Sequence, residues 1–172
     1  MEESVFENTY PRTREVVQEV LRYTHFQSRS ALAVWILDAV VIALTLACVC
    51  WTRQWTPIFA LVLVLLIFRL FSICYDYRRG VRLMLARDRE QYGEAPVEVR
   101  TVLSQTGIGI LPTAGEDVKI AYENIRYAAQ TRHLILIITK AKLFHMLHKE
   151  GFTKGTAEEC VAFLREKGVK VR

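Results

Sequence analysis

The chain has 172 residues, of which 52% are hydrophobic and 24% charged, with a net charge of +5. Apolar residues are concentrated in the first half, which excludes a single evenly patterned soluble globule. The surplus of Lys and Arg is too small and too local to argue for a nucleic-acid partner.

Residues 11–29 have Val16, Val17, Val20, Leu21 and Thr24 on one helical stripe, with Pro11 suited to a first helical turn. The expectation is a cytoplasmic N-terminal amphipathic helix within residues 1–30. Two apolar runs follow. Residues 31–51 hold Asp38 as their only charge, and residues 57–75 hold only Arg69. A hydrocarbon core about 30 Å thick needs roughly 20 helical residues, and neither run has the polar stripe of a soluble core helix. The expectation is a transmembrane α-helical hairpin over residues 31–75. A cleaved signal peptide is the competing reading of the first run. The leading segment is long and acidic, with Glu2, Glu3, Glu7, Glu15 and Glu19, and Asp38 interrupts the apolar stretch. The Leu46-Ala47-Cys48 hint of a lipoprotein site has Thr45 where a large apolar residue is expected, so an uncleaved helix is favoured.

Arginine placement orients the hairpin. Arg14, Arg22 and Arg29 precede the first run and Arg78, Arg79, Arg82, Arg87 and Arg89 follow the second, whereas the connection at residues 52–56 carries only Arg53. Both ends should face the cytoplasm, with Trp51 and Trp55 at the outer interface of a multi-pass protein of the plasma membrane. The positions of Cys48, Cys50, Cys74 and Cys160 suggest no disulfide framework.

Asp38 lies 13 residues before Trp51, and Arg69 lies 12 residues after Pro57. At 1.5 Å per residue both sit roughly 18–20 Å from the outer turn, so they are expected to form a structural intramembrane ion pair. The functional alternative is an ion or proton site, or a contact with another membrane protein's charge. Ala39, Ala43 and Ala47 form a small-residue face, 100–180° round from Asp38, that would admit a neighbouring helix or a second copy. Residues 76–92 read as a basic juxtamembrane stalk. Its Arg78, Arg79, Arg82, Arg87 and Arg89 are positioned for anionic lipid headgroups at about 1 kcal/mol each, or else serve only as the orientation signal or as a helix continuing the span.

Residues 93–96 mark a domain boundary, after which the pattern changes to period two. Strands are expected at residues 97–103, 107–111, 117–122, 125–130, 133–139 and 142–148. Thr156 to Glu159 reads as a capping box opening an amphipathic helix through Cys160, Val161, Phe163 and Leu164, with Gly168 as its stop. The fold class is thus two membrane helices plus an α+β cytoplasmic domain: a small antiparallel sheet or partly open barrel of about six strands, with one C-terminal helix.

Chemistry-bearing patterns are sparse. Gly107 and Gly109 have no following helix to present amides to a phosphate. His145 and His148 have helical ligand spacing but fall in an alternating strand, where an odd offset puts them on opposite faces. Cys160 belongs to an apolar stripe, and Glu158 and Glu159 belong to the cap. Residues 93–172 carry 12 Lys and Arg against 9 Asp and Glu, scattered and without an aromatic-basic stripe. No catalytic group, metal or cofactor is expected, nor a nucleic-acid partner.

Three short motifs carry a resemblance: Gly107-Ile108, Tyr122-Glu123-Asn124-Ile125, and Lys149-Glu150-Gly151-Phe152 leading into the helix. With two spans and a basic stalk ahead of them, they resemble the YcxB-like family of small bacterial membrane proteins, most strongly over residues 97–170. The family usually has proline before that lysine, where this chain has His148. The resemblance implies a module similar to pleckstrin-homology-like folds and no established activity. Two functions remain: a membrane-anchored module docking a protein partner, with a lipid-reading variant, or an accessory or self-associating subunit acting through its spans.

Overall fold

The computed structural model describes residues 4–52, 57–93, 96–112 and 118–172. The chain divides into two compact units, one of Met1–Val17 with Leu85–Arg172 and the other of Gln18–Met84. The turn with Arg53 and Trp55, residues 94–95 of the expected boundary, Asp117 of the third expected strand, and Glu2 and Glu3 lie outside the described residues.

The first unit is an antiparallel sheet domain with a C-terminal helix. Its strands are β1 (Phe6–Arg12), β2 (Val97–Leu103), β3 (Gly107–Pro112), β4 (Val118–Ala121), β5 (Ile125–Gln130), β6 (Leu134–Thr139), β7 (Phe144–His148) and β8 (Phe152–Lys154). They form a five-stranded sheet, β4-β3-β2-β1-β8, and a three-stranded sheet, β5-β6-β7. As expected, this unit is an antiparallel sheet domain with a C-terminal helix, and among the described residues the sheets do not close into a barrel.

The alternation of β2 works as its sequence implies, with Val97, Val99, Thr101 and Leu103 buried. β6 is different: all six residues are buried, so it reads as a continuous apolar run with both faces covered. The helix α4 (Ala157–Glu166) begins with the expected capping box. Thr156 Oγ1 accepts from the Glu159 N–H at 3.3 Å, and Glu159 Oε2 accepts from the Thr156 N–H at 2.9 Å. Phe6, Leu103 and Ile108 from one sheet, Ala128, Ile135, Ile137 and Leu147 from the other, and Cys160 and Leu164 from the helix share one core. Each such Leu or Ile contributes about 2 kcal/mol of burial.

The N-terminal expectation is corrected. Instead of one helix over residues 11–29, the chain forms β1, then α1 (Arg14–Arg22), then a π-helical turn (Tyr23–Gln27). β1 pairs with β2 along its whole length, Phe6 opposite Leu103 and Arg12 opposite Val97. Pro11 is tolerated in this interior strand because β8 pairs only with Glu7 and Asn8, so the missing N–H faces a side where pairing has already ended. β8 was also unforeseen, which raises the strand count among the described residues from about six to eight.

In the second unit, α2 (Arg29–Thr52) matches the first apolar run. The second run and the basic stalk form one helix, α3 (Pro57–Tyr92), so residues 76–92 continue the apolar helix without a break. Both helices are long and apolar enough to cross a membrane. Ile36, Leu44, Phe68 and Phe71 on these helices are 62–68% exposed.

Candidate functional site

Asp38 is buried on α2, and its Oδ2 lies 3.2 Å from Arg69 Nε on α3. The contact is a charge pair without hydrogen-bond geometry, since Oδ2 has no hydrogen-bonding partner among the described residues. Ala39, Ala43 and Ala47 are exposed on α2, and Arg78, Arg79, Arg82, Arg87 and Arg89 are exposed on α3. Between these levels Phe26 packs on Trp35 and Tyr77, with ring centroids 6.0 Å apart in each case, and His25 meets Tyr77 edge-on at 6.3 Å.

The solvent face of the five-stranded sheet bears an open groove of about 510 Å³ lined by Glu7, Thr9, Glu98, Arg100, Leu111 and Thr153. Arg100 donates to Glu7 Oε2 at 2.8 Å. That bond, followed by one from Ser4, holds the Glu7 carboxyl below its ordinary range.

The other face of β1 carries polar residues that the sequence did not reveal. Asn8 is fully buried, and its amide behaves like a piece of strand: Nδ2 donates to His148 O at 2.7 Å, and Oδ1 accepts from the His148 N–H at 3.1 Å. It ties the five-stranded sheet to β7 of the other. Arg12 donates to Asp88 Oδ1 at 2.8 Å, binding the strand to the end of α3 within the same unit. Tyr10 sits beside them, its hydroxyl pushed up to about 12 by burial. Arg12 Nε, Asp88 Oδ2 and His145 Nε2 are buried without a hydrogen-bonding partner among the described residues. Burial, and then the Arg12 charge, lower the His145 pKa. These residues were missed because each is polar and isolated in sequence; only pairings between residues 76 and 140 positions apart assemble them.

The histidines take no shared role. His148 stacks with Tyr10 at 6.3 Å and with His133 at 6.5 Å, whereas His145 lies near Arg12. Among the described residues no group of three or more His, Cys, Asp or Glu is placed to hold a metal. Cys160 is fully buried, and burial pushes its thiol up to about 12.

The three family-like motifs prove to be architectural. Tyr122 donates its hydroxyl to Ser104 O at 2.7 Å, locking the β2–β3 turn, and its ring meets Phe163 edge-on at 5.9 Å. A Cβ on Gly107 would lie 2.7 Å from Ile120 O, and one on Gly151 would lie 2.7 Å from Thr9 O, so both glycines permit close backbone approach. Lys149 donates to Thr131 O at 2.7 Å, and His148, standing where the family has proline, offers Nδ1 to the Glu150 N–H at 3.3 Å. No curated protein and no solved structure matches the chain. The family model described as YcxB-like protein matches residues 103–165, from the end of β2 into α4. That span holds all three motifs together with most of the core they support, and over it the chain is similar to that family.

Proposed function

We propose that the chain is an integral plasma-membrane protein whose sheet unit is a cytoplasmic docking module for a protein partner. α2 and α3 act as the membrane hairpin, with both ends of this chain and the exposed arginines on the cytoplasmic side. The observation that carries the reading is the separation of labour between the units. The sheet unit has a core of its own, shared by two sheets and α4, while α2 and α3 leave their apolar side chains bare for lipid. The Asp38–Arg69 contact gives the intramembrane carboxylate an internal partner, which favours the structural reading over an ion path.

The test is site-specific photocrosslinking in native membranes with the full chain. A photoreactive residue is placed at Thr9, Lys119 or Arg126 on the sheet unit, or at Ala43 on α2. Protein adducts from the sheet positions, retained when Asp38→Leu and Arg69→Leu are combined, support the docking module. Adducts from Ala43 alone would move the work into the spans.

A further inference from the structure

The outer edge of β5 is covered by residues 170–172 of the same chain. One side of β5 pairs with β6. Along the other side residues 170–172 run parallel to it, with Val171 opposite Ala128. The Ala128 N–H donates to Lys170 O at 2.9 Å, the Arg172 N–H donates to Ala128 O at 3.0 Å, and the Gln130 N–H donates to Arg172 O at 3.0 Å. Side chains add selectivity to these main-chain bonds. Val171 packs against the core, and the Arg172 guanidinium lies 4.2 Å from the Tyr127 ring centroid. An extended segment held by main-chain bonds, with an apolar side chain inward and a cation on an aromatic ring, is the β-augmentation mode of peptide recognition.

The in-chain occupant is short. It makes three bonds in parallel pairing, which is less stable per residue than antiparallel pairing. Lys170 and Arg172 are exposed, and the segment is reached through Gly168 at φ +80, with Val169 anchored in the core ahead of it.

We propose that the outer edge of β5 docks an extended peptide segment of a protein partner, one with an apolar residue followed by Arg or Lys, and that residues 170–172 are its exchangeable in-chain occupant. The proposal rests on the docking-module reading and names its edge and ligand pattern. The partner competes with a tethered segment at high effective concentration, so docking is held back until the segment is released or outcompeted.

Two measurements on the full chain in detergent test this. The first is amide exchange. Ala128 and Gln130 donate to the segment, whereas alternation points the Ala129 N–H at β6. An exchangeable occupant makes Ala128 and Gln130 exchange at least about tenfold faster than Ala129; equal protection would mean a permanent edge cover and would overturn the proposal. The second is binding of a fluorescent peptide, Lys-Gly-Val-Lys-Val-Arg, at millimolar concentration. It should bind saturably to the Val171→Asp, Arg172→Pro variant, which lacks the inward apolar group and the Arg172 N–H, and bind the unaltered chain far less. Absence of binding to the variant, with its circular dichroism unchanged, overturns the edge proposal while leaving the crosslinking test of the docking module to stand or fall separately. Equal binding to both chains overturns the competition.

Discussion

Arg69 and Asp38, the sole charges of two apolar runs, meet with Nε 3.2 Å from Oδ2. Under the proposed membrane hairpin an unpaired charge in hydrocarbon would cost several kcal/mol, so each residue would offset a penalty created by the other. Asp38→Asn alone should therefore lower the melting temperature in detergent, and adding Arg69→Gln should restore part of it, with a coupling of about 1 kcal/mol. Additive losses in that double-mutant cycle would show that the two charges do not act as a pair.

The second ion pair lies in the sheet unit and is more enclosed, with the Asp88 side chain 6% exposed and the Arg12 side chain 21% exposed. Arg12→Met leaves a buried carboxylate without its cation and should destabilise the unit by about 3 kcal/mol. Combining it with Asp88→Leu should recover most of that loss in thermal melts. A single-variant cost below about 1 kcal/mol would mean that Asp88 reaches solvent on its own.

Tyr10 and His145 give the sheet unit losses of stability at opposite ends of the pH scale. The unfolded chain takes up a proton at His145 near pH 6.5, while the folded chain resists until a lower pH. Stability thus falls as the pH drops below about 6.5. An unfolded Tyr10 ionises near pH 10, and the folded one near about 12, so stability also falls as the pH rises through that interval. Urea titrations across the pH range should show the acid loss reduced in His145→Asn and the alkaline loss reduced in Tyr10→Phe. Variant and parent curves that stay parallel throughout would rule these residues out as the source.

Gly155 sits at φ +77, and a Cβ there would press into the Phe6 ring, which itself packs 5.4 Å from Phe163. Gly155→Ala should cost at least about 2 kcal/mol, from backbone strain and overpacking together. Gly109→Ala, where the nearest atom would be 3.7 Å away, should change stability by no more than about 0.5 kcal/mol. Equal melting temperatures for the two variants would contradict the packing at β8.

Cys160 should behave as a small hydrophobe. It is fully buried and its thiol is pushed up to about 12, so maleimide at neutral pH should label it only after denaturation. Rapid labelling of the native chain, mapped to Cys160 by mass spectrometry, would show that α4 opens readily.

Much of this architecture was written locally. The two apolar runs define their helices because length and uniform hydrophobicity act residue by residue, and α4 announces itself through a four-residue cap. β2 and β5 were readable with their exact bounds, Val97–Leu103 and Ile125–Gln130, because alternation and bounding turns are local as well. The Asp38–Arg69 contact was foreseeable for a similar reason: two helices joined by a short connection place equal distances from the turn at one depth.

The sequence by itself determined which segments are apolar, where strands alternate and where α4 is capped. Only the tertiary structure decided that residues 6–12 form an interior strand and not the start of a helix, because Pro11 and the polar Asn8 and Arg12 obey no local strand rule. Their conformation is fixed by partners far along the chain: Val99 and Glu98 across the ladder, His148 for the Asn8 amide, Asp88 for the Arg12 guanidinium. The same holds for residues 170–172, whose strand-like course exists because β5 offers an unpaired edge. Hydrogen bonds and ion pairs between distant residues satisfy polar groups that local propensity leaves undetermined, and those long-range bonds selected the fold's remaining elements.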